Sequence, residues 1–272
     1  MYFDFFGRDI YTLPNSGADS EMFNASARNF AQGLEVDRGG SYGILVGYIY
    51  TLFGEQRILA QYLNILFSIY TIIYLIKIMR ILNIDNKIKN IMLLIIAFIP
   101  NYIIISSILL RESVMIYLIT ISLYFFVKWW KSSSLSMFNL AVILPIIAAF
   151  FHSGAIAPSI AYGLIYILYK PNKQRFNLGF RTILVGVIFV ASFIVLNSLM
   201  GDMIFGKFEG VESMSDIASK TANPKGESAY LSGVTVDSIP EMVIYTPIRM
   251  FYFIASPLPW DWRGFNDIFA FV

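Results

Sequence analysis

Apolar runs of span length, separated by short polar stretches, set the pattern of the chain. A helix rises 1.5 Å per residue, so about 20 residues cross a hydrocarbon core near 30 Å thick, and runs of that length read as membrane spans. Residues 58–79 and 91–110 qualify directly, and 113–130 and 180–200 follow, each flanked by basic residues. The run 139–169 is too long for one untilted span and holds Pro145, His152, Gly154 and Pro158 near its middle. Two shorter helices meeting at His152 and Ser153 are expected there instead. Residues 242–260 are apolar but interrupted by Pro247, Arg249, Pro257 and Pro259, which predicts a kinked or partly interfacial helix. Residues 42–53 are too few to cross and suit an interfacial or re-entrant helix. Further upstream, Met22, Phe23, Ala27, Phe30 and Ala31 share one helical face behind Asp19 or Ser20 as N-cap, predicting an amphipathic helix on the membrane.

Composition reinforces this pattern and narrows the chemistry. Hydrophobic residues make up 57% of the 272 and charged residues only 14%, where a soluble domain carries about a quarter charged. Together with a mean hydropathy of +0.65, that is more apolar surface than one water-soluble core of this length could bury. A net charge of +2 provides no field for holding nucleic acid, so none is expected as a partner. The chain has no cysteine and one histidine, which excludes disulfides, thiolate metal sites, cysteine nucleophiles and His-rich metal sites. Neither a metal nor a cofactor is expected.

Charge placement orients the spans. Lys77, Arg80, Lys87 and Lys89 form one basic cluster, Lys128 and Lys131 a second, and Lys170, Lys173, Arg175 and Arg181 a third. Cytoplasmic loops collect such residues. Residues 1–41 instead carry six acids against three bases, and residues 201–241 seven against three. The clusters alternate correctly with the spans if both acidic segments lie outside. The expected fold is therefore all-α, a polytopic transmembrane helical bundle forming a single integral membrane domain over 1–272. It comprises an external amphipathic segment 1–41, a helical bundle 42–200, an external loop 201–240, and a kinked helix with the start of a further span over 241–272. No internal repeat or soluble domain is visible. The first acidic segment has no span before it, and the apolar run from Phe265 stops at Val272. A fragment of a longer protein, or a reduced form lacking its first and last helices, is expected.

Few polar residues are placed to carry chemistry. Asp19 reads either as a helix cap or as a general base at the membrane surface, with Glu21 beside it. Arg111 and Glu112 join two apolar segments at the outer leaflet. They form a mutual pair at the bilayer edge or, in the sharper reading, Arg111 holds a phosphate or diphosphate while Glu112 acts as an orienting or second carboxylate. Tyr102, with Ser106 and Ser107, would line the same cavity. His152 is a packing residue or a substrate contact at a broken helix. Arg249 either snorkels or binds phosphate. The segment 201–240 is a connector or a loop covering the site. Trp260 and Trp262 suit interfacial anchoring better than stacking on sugar.

The order of these features resembles bacterial polytopic enzymes that build cell-surface polysaccharides on polyprenyl-phosphate carriers. Asp19-Ser-Glu-Met-Phe-Asn, the segment Ser41-Tyr42-Gly43 to Leu52-Phe53-Gly54, and Arg57-Ile-Leu-Ala-Gln-Tyr-Leu-Asn64 resemble the first external loop and following helices of GT-C glycosyltransferases. Pro100 to Glu112 is similar to the same group's Pro-to-Glu helix pair. Arg111 to Lys131, then Phe151-His-Ser-Gly-Ala155, resembles EpsG-like and Wzy-like polysaccharide polymerases instead, and Arg249 to Trp260 is similar to segments of capsule-cluster membrane proteins. A serine separates Asp19 from Glu21 where mannosyltransferase-type enzymes often have adjacent Asp-Glu, which counts against a metal-assisted variant.

The resemblance implies a GT-C-like glycosyltransferase or polymerase of the bacterial plasma membrane, multi-pass, with its active face external. Its donor would be a polyprenyl-phosphate-linked sugar or oligosaccharide, and membrane lipid and glycan-assembly proteins would be its partners. Asp19 and Glu112 would be catalytic, and Glu21, Arg111, His152, Arg249 and Tyr102 would bind substrate. A transporter or flippase of a lipid-linked or anionic solute, and a non-catalytic subunit of a polysaccharide machine, are the alternatives.

Overall fold

A computed structural model describes residues 17–35, 40–170, 175–176 and 179–199, with a few positions between 241 and 251. The described residues are almost entirely helical. Contacts divide the chain into one unit over residues 1–206 and another over 207–272. In the second unit, Glu241, Ile244, Tyr245, Pro247, Ile248, Arg249 and Phe251 are helical. The loop expected over 201–240, the Trp260 and Trp262 anchors and the run from Phe265 lie outside the described residues.

The first unit opens with a helical hairpin. Helix α1 (Gly17–Ala31) packs its Phe23 and Ala27 on Tyr42, Val46 and Tyr50 of α2 (Gly40–Phe53). Close approach is possible because residue 47 is glycine: a Cβ there would lie 2.5 Å from Cδ1 of Phe30. Phe23 meets Tyr42 edge-on, ring centroids 5.0 Å apart. Helix α1 begins at Gly17, so Asp19 sits inside its first turn rather than capping it, where its carboxylate still complements the helix dipole. Its apolar face is covered by α2 and does not lie open.

Helix α3 (Arg57–Ile81) follows a turn at Gly54, whose φ of +76° suits glycine. Arg57, Gln61, Asn64, Ser68 and Thr71 recur every three or four residues and are all buried. The opposite face, with Ile58, Tyr62, Ile69, Tyr70 and Ile73, is exposed. A water-soluble helix has the reverse arrangement.

The sequence predicts one span over 91–110, but the chain forms two short helices, α4 (Asn86–Phe98) and α5 (Pro100–Ser107). Pro100 has no N–H to continue the ladder and disfavours helical backbone at the residue before it, and Ile99 accordingly takes φ −65°, ψ 114°. Helix α6 (Glu112–Ser132) then packs along α3 and against α7 (Leu135–Ala149). A 3-10 turn, Ser153–Ile156, leads from α7 into α8 (Ala157–Leu168), so the chain breaks where His152 was expected to break it. Strands β1 (Tyr169–Lys170) and β2 (Arg175–Phe176) pair antiparallel before α9 (Phe180–Leu199).

Pro145 lies inside α7 and cannot donate to the Ala141 carbonyl one turn back. The Ser122 hydroxyl on α6 donates to that carbonyl at 2.7 Å, in a fully buried contact. Ser159 donates to the neighbouring Val142 carbonyl, also at 2.7 Å. A neighbouring serine thus satisfies the backbone group that the proline frees, as apolar surroundings require. Ser122→Ala is expected to destabilise the α6–α7 contact by about 1–2 kcal/mol, measured by denaturation in detergent, because it orphans a buried acceptor.

Two described helices, α3 and α6, are long and apolar enough to cross a membrane. Only 28% of the most apolar window of α3 and 39% of that of α6 is buried, so most of each apolar window is exposed.

Candidate functional site

One end of the first unit gathers buried polar side chains from elements far apart in sequence. Arg57, 6% exposed, donates from Nη1 to Oε1 of Glu21 at 2.6 Å and from Nη2 to Oγ of Ser20 at 2.9 Å. The same serine oxygen accepts from the Leu109 amide at 3.3 Å. Ser20 therefore ties α1 both to the start of α3 and to the turn between α5 and α6. A second knot lies at Asn64. Its Nδ2 donates to the Ile108 and Leu110 carbonyls, each at 2.9 Å, and its Oδ1 accepts from the Tyr42 hydroxyl at 3.0 Å. Asn64 thus substitutes for the helical partners that this non-helical turn lacks.

The turn so held presents Arg111 and Glu112. The Arg111 guanidinium lies 5.8 Å from the Phe23 ring centroid, and its Nη1 donates to the Phe151 carbonyl at 3.2 Å. Its Nε is 3.7 Å from Oε1 of Glu112, beyond hydrogen-bond distance. Nε of Arg111 and Oε2 of Glu112 are shielded from solvent yet have no hydrogen-bond partner among the described residues. Native structures rarely leave shielded polar atoms unmatched, and a charged pair with spare capacity suits a polar ligand.

The acids of α1 lie close by. Asp19 is exposed and one helical turn before Phe23, so its Cβ is about 5–6 Å from that of the residue carrying the ring under Arg111. Glu21 is engaged by Arg57. His152, beside the carbonyl that Arg111 binds, is half-buried in extended backbone with φ −160°, and its ring lies against Gly154. The structure therefore brings Asp19, Glu21, Arg111, Glu112 and His152 to one end of the unit. Tyr102 is placed differently: its hydroxyl donates at 2.7 Å to the Ser68 carbonyl, one turn along α3 from Asn64, while Ser106 and Ser107 bond back to the Ile103 carbonyl. Arg249 is on a helical segment of the second unit and half-buried.

Burial holds the Tyr42 phenol above its ordinary range, partly offset by its bond to Asn64, and the Glu112 carboxylate adds to the rise. Burial likewise pushes Tyr50 up to about 12, so it stays a neutral donor to Oδ1 of Asn24, 2.6 Å away. At the outer rim of α1, Arg28 pairs with Glu55, which raises the guanidinium pKa further. Among the described residues, no group of three or more His, Asp or Glu side chains is placed to hold a metal ion.

Arg57 and Asn64 lie within motifs of the sequence but carry no expected role there. The spacing of polar residues at 57, 61, 64, 68 and 71 within an apolar run was the available signal, since a stripe of that period marks a face turned away from lipid. The chain matches no protein-family model, no curated protein and no solved structure.

Proposed function

We propose that the chain is a multi-pass protein of the bacterial plasma membrane that transfers a sugar or oligosaccharide from a polyprenyl phosphate or diphosphate donor at the outer face. The bundle reading is supported by the dimensions of its two longest apolar helices. At 1.5 Å per residue, Lys77 lies about 30 Å along α3 from Arg57, and Lys128 about 24 Å along α6 from Glu112, close to a hydrocarbon thickness. Charged side chains cluster at both ends, and the faces between them are largely apolar and exposed. The Lys and Arg at the 77–80 and 128–131 ends support a cytoplasmic location for that side, with Arg111 and the acids of α1 outside.

The observation that carries the reaction is the seating of Arg111 on Phe23 of the acid-bearing helix. In the proposed step, the Asp19 carboxylate takes the proton of an acceptor hydroxyl, whose oxygen attacks the anomeric carbon of the donor sugar. The bond from that carbon to the phosphate oxygen breaks, and the carrier phosphate leaves with the electron pair. Arg111 has an Nε–H left over to meet the developing charge, and Glu112 orients the guanidinium. His152 contacts the bound sugar.

Asp19→Asn in the full-length protein is expected to lower glycan transfer by about 10²-fold or more, with Asp19→Glu recovering part of it. Surface glycan output from cells producing each variant at equal level measures this. Unchanged output from Asp19→Asn would remove the base from the scheme.

A further inference from the structure

The opposite end of α3 and α6 carries a second arrangement that the reaction does not use. Phe67, Tyr70 and Tyr74 of α3 meet Tyr117 of α6, and Tyr74 meets Tyr124 edge-on with centroids 5.2 Å apart. Lys77 from α3 and Lys128 from α6 both close on Tyr124, their ammonium nitrogens 6.0 and 4.8 Å from its ring centroid, and Lys77 is also 4.4 Å from that of Tyr74. Neither lysine has a carboxylate at ion-pair distance among the described residues. Asp85, the acid nearest in sequence to Lys77, accepts from the Lys87 amide as the cap of α4. The Tyr74 and Tyr124 hydroxyls also have no hydrogen-bond partner among the described residues. Two cations drawn to one ring repel each other, and an anion between them relieves that repulsion.

We propose that Lys77 and Lys128, with the Tyr74 and Tyr124 hydroxyls, bind the phosphate headgroup of an anionic glycerophospholipid in the leaflet at that end. A lipid fits better than a soluble anion because the donor set continues along α3 into exposed apolar surface. Ile69, Tyr70 and Ile73 lie there, where acyl chains would run. The proposal rests on the membrane reading but not on the identity of the reaction.

Full-length protein in mild detergent, offered phosphatidylglycerol and phosphatidylcholine together and examined by native mass spectrometry, tests this. Phosphatidylglycerol is expected to be retained over phosphatidylcholine. The Lys77→Gln/Lys128→Gln double variant should retain it on the order of tenfold less, and the paired Lys→Arg variant should keep most of it. Arg111→Ala should leave it unchanged, which separates this site from the one for a polyprenyl phosphate. Because neither lysine is in an ion pair, and losing their ring contacts also removes their mutual repulsion, the glutamine variant is expected to unfold within a few degrees of the parent. Equal retention of the two lipids, or unchanged retention in the glutamine variant, would overturn the proposal. So would displacement of the lipid by millimolar inorganic phosphate, which would mark a soluble-anion site.

Discussion

Arg111→Ala is expected to reduce glycan transfer by about 10²–10³-fold, the usual loss when one donor to a developing negative charge is removed from a preorganised site. The guanidinium is fixed from three directions, by the Phe23 ring, the Phe151 carbonyl and the Glu112 carboxylate. Little reorganisation therefore remains when charge appears on a leaving phosphate. Arg111→Lys should restore only a minor part, since an ammonium cannot bond Phe151 and a phosphate with the same fork. Transfer rates in membranes from cells producing each variant measure this. Parent-like transfer by Arg111→Ala would show that the cation has no part in the reaction.

Asn64→Leu should be the most destabilising single change in the described unit. It keeps the branched shape, adds bulk, and strips the donor from the Leu110 carbonyl and the acceptor from Tyr42, both buried, while the Ile108 carbonyl keeps the Leu110 amide at 3.0 Å. Orphaned buried groups cost about 1–3 kcal/mol each, so with two of them a loss of about 2–5 kcal/mol is expected, against about 1 kcal/mol for Tyr42→Phe. Denaturation in detergent micelles gives both numbers. Because Asn64 holds the turn that leads into Arg111, the variant should lose transfer activity at temperatures where it is still folded. A loss under about 1 kcal/mol would mean that the turn finds other partners.

Much of the helix layout was legible because it rests on local chemistry. Pro145, Gly154 and Pro158 announced the break at His152, and the glycines flanking the apolar run 42–53 bounded α2 as a short helix. Continuous hydrophobicity over 91–110 concealed the break at Ile99, although Pro100 was in plain view. An apolar run reports what surrounds a segment, whereas backbone continuity depends on one missing N–H. The candidate site was legible as residue types at the ends of apolar runs. Its construction was not, because Arg57 finds Glu21 and Ser20 across more than thirty residues, and Asn64 finds Leu110 across forty-six. No periodicity encodes such partners. Tyr102 shows the same limit: its spacing placed it on the right helix, and its hydroxyl reaches the α3 backbone instead.

In the proposed function, the end of the first unit that holds Arg111 takes the phosphate of a polyprenyl carrier. Native mass spectrometry of the purified full-length protein with polyprenyl phosphate and the matching neutral polyprenol tests it most directly. Retention of the phosphate form over the alcohol is expected, lost in Arg111→Ala and kept in the Lys77→Gln/Lys128→Gln variant. Equal retention of the two lipids, or retention unaffected by Arg111→Ala, would contradict it.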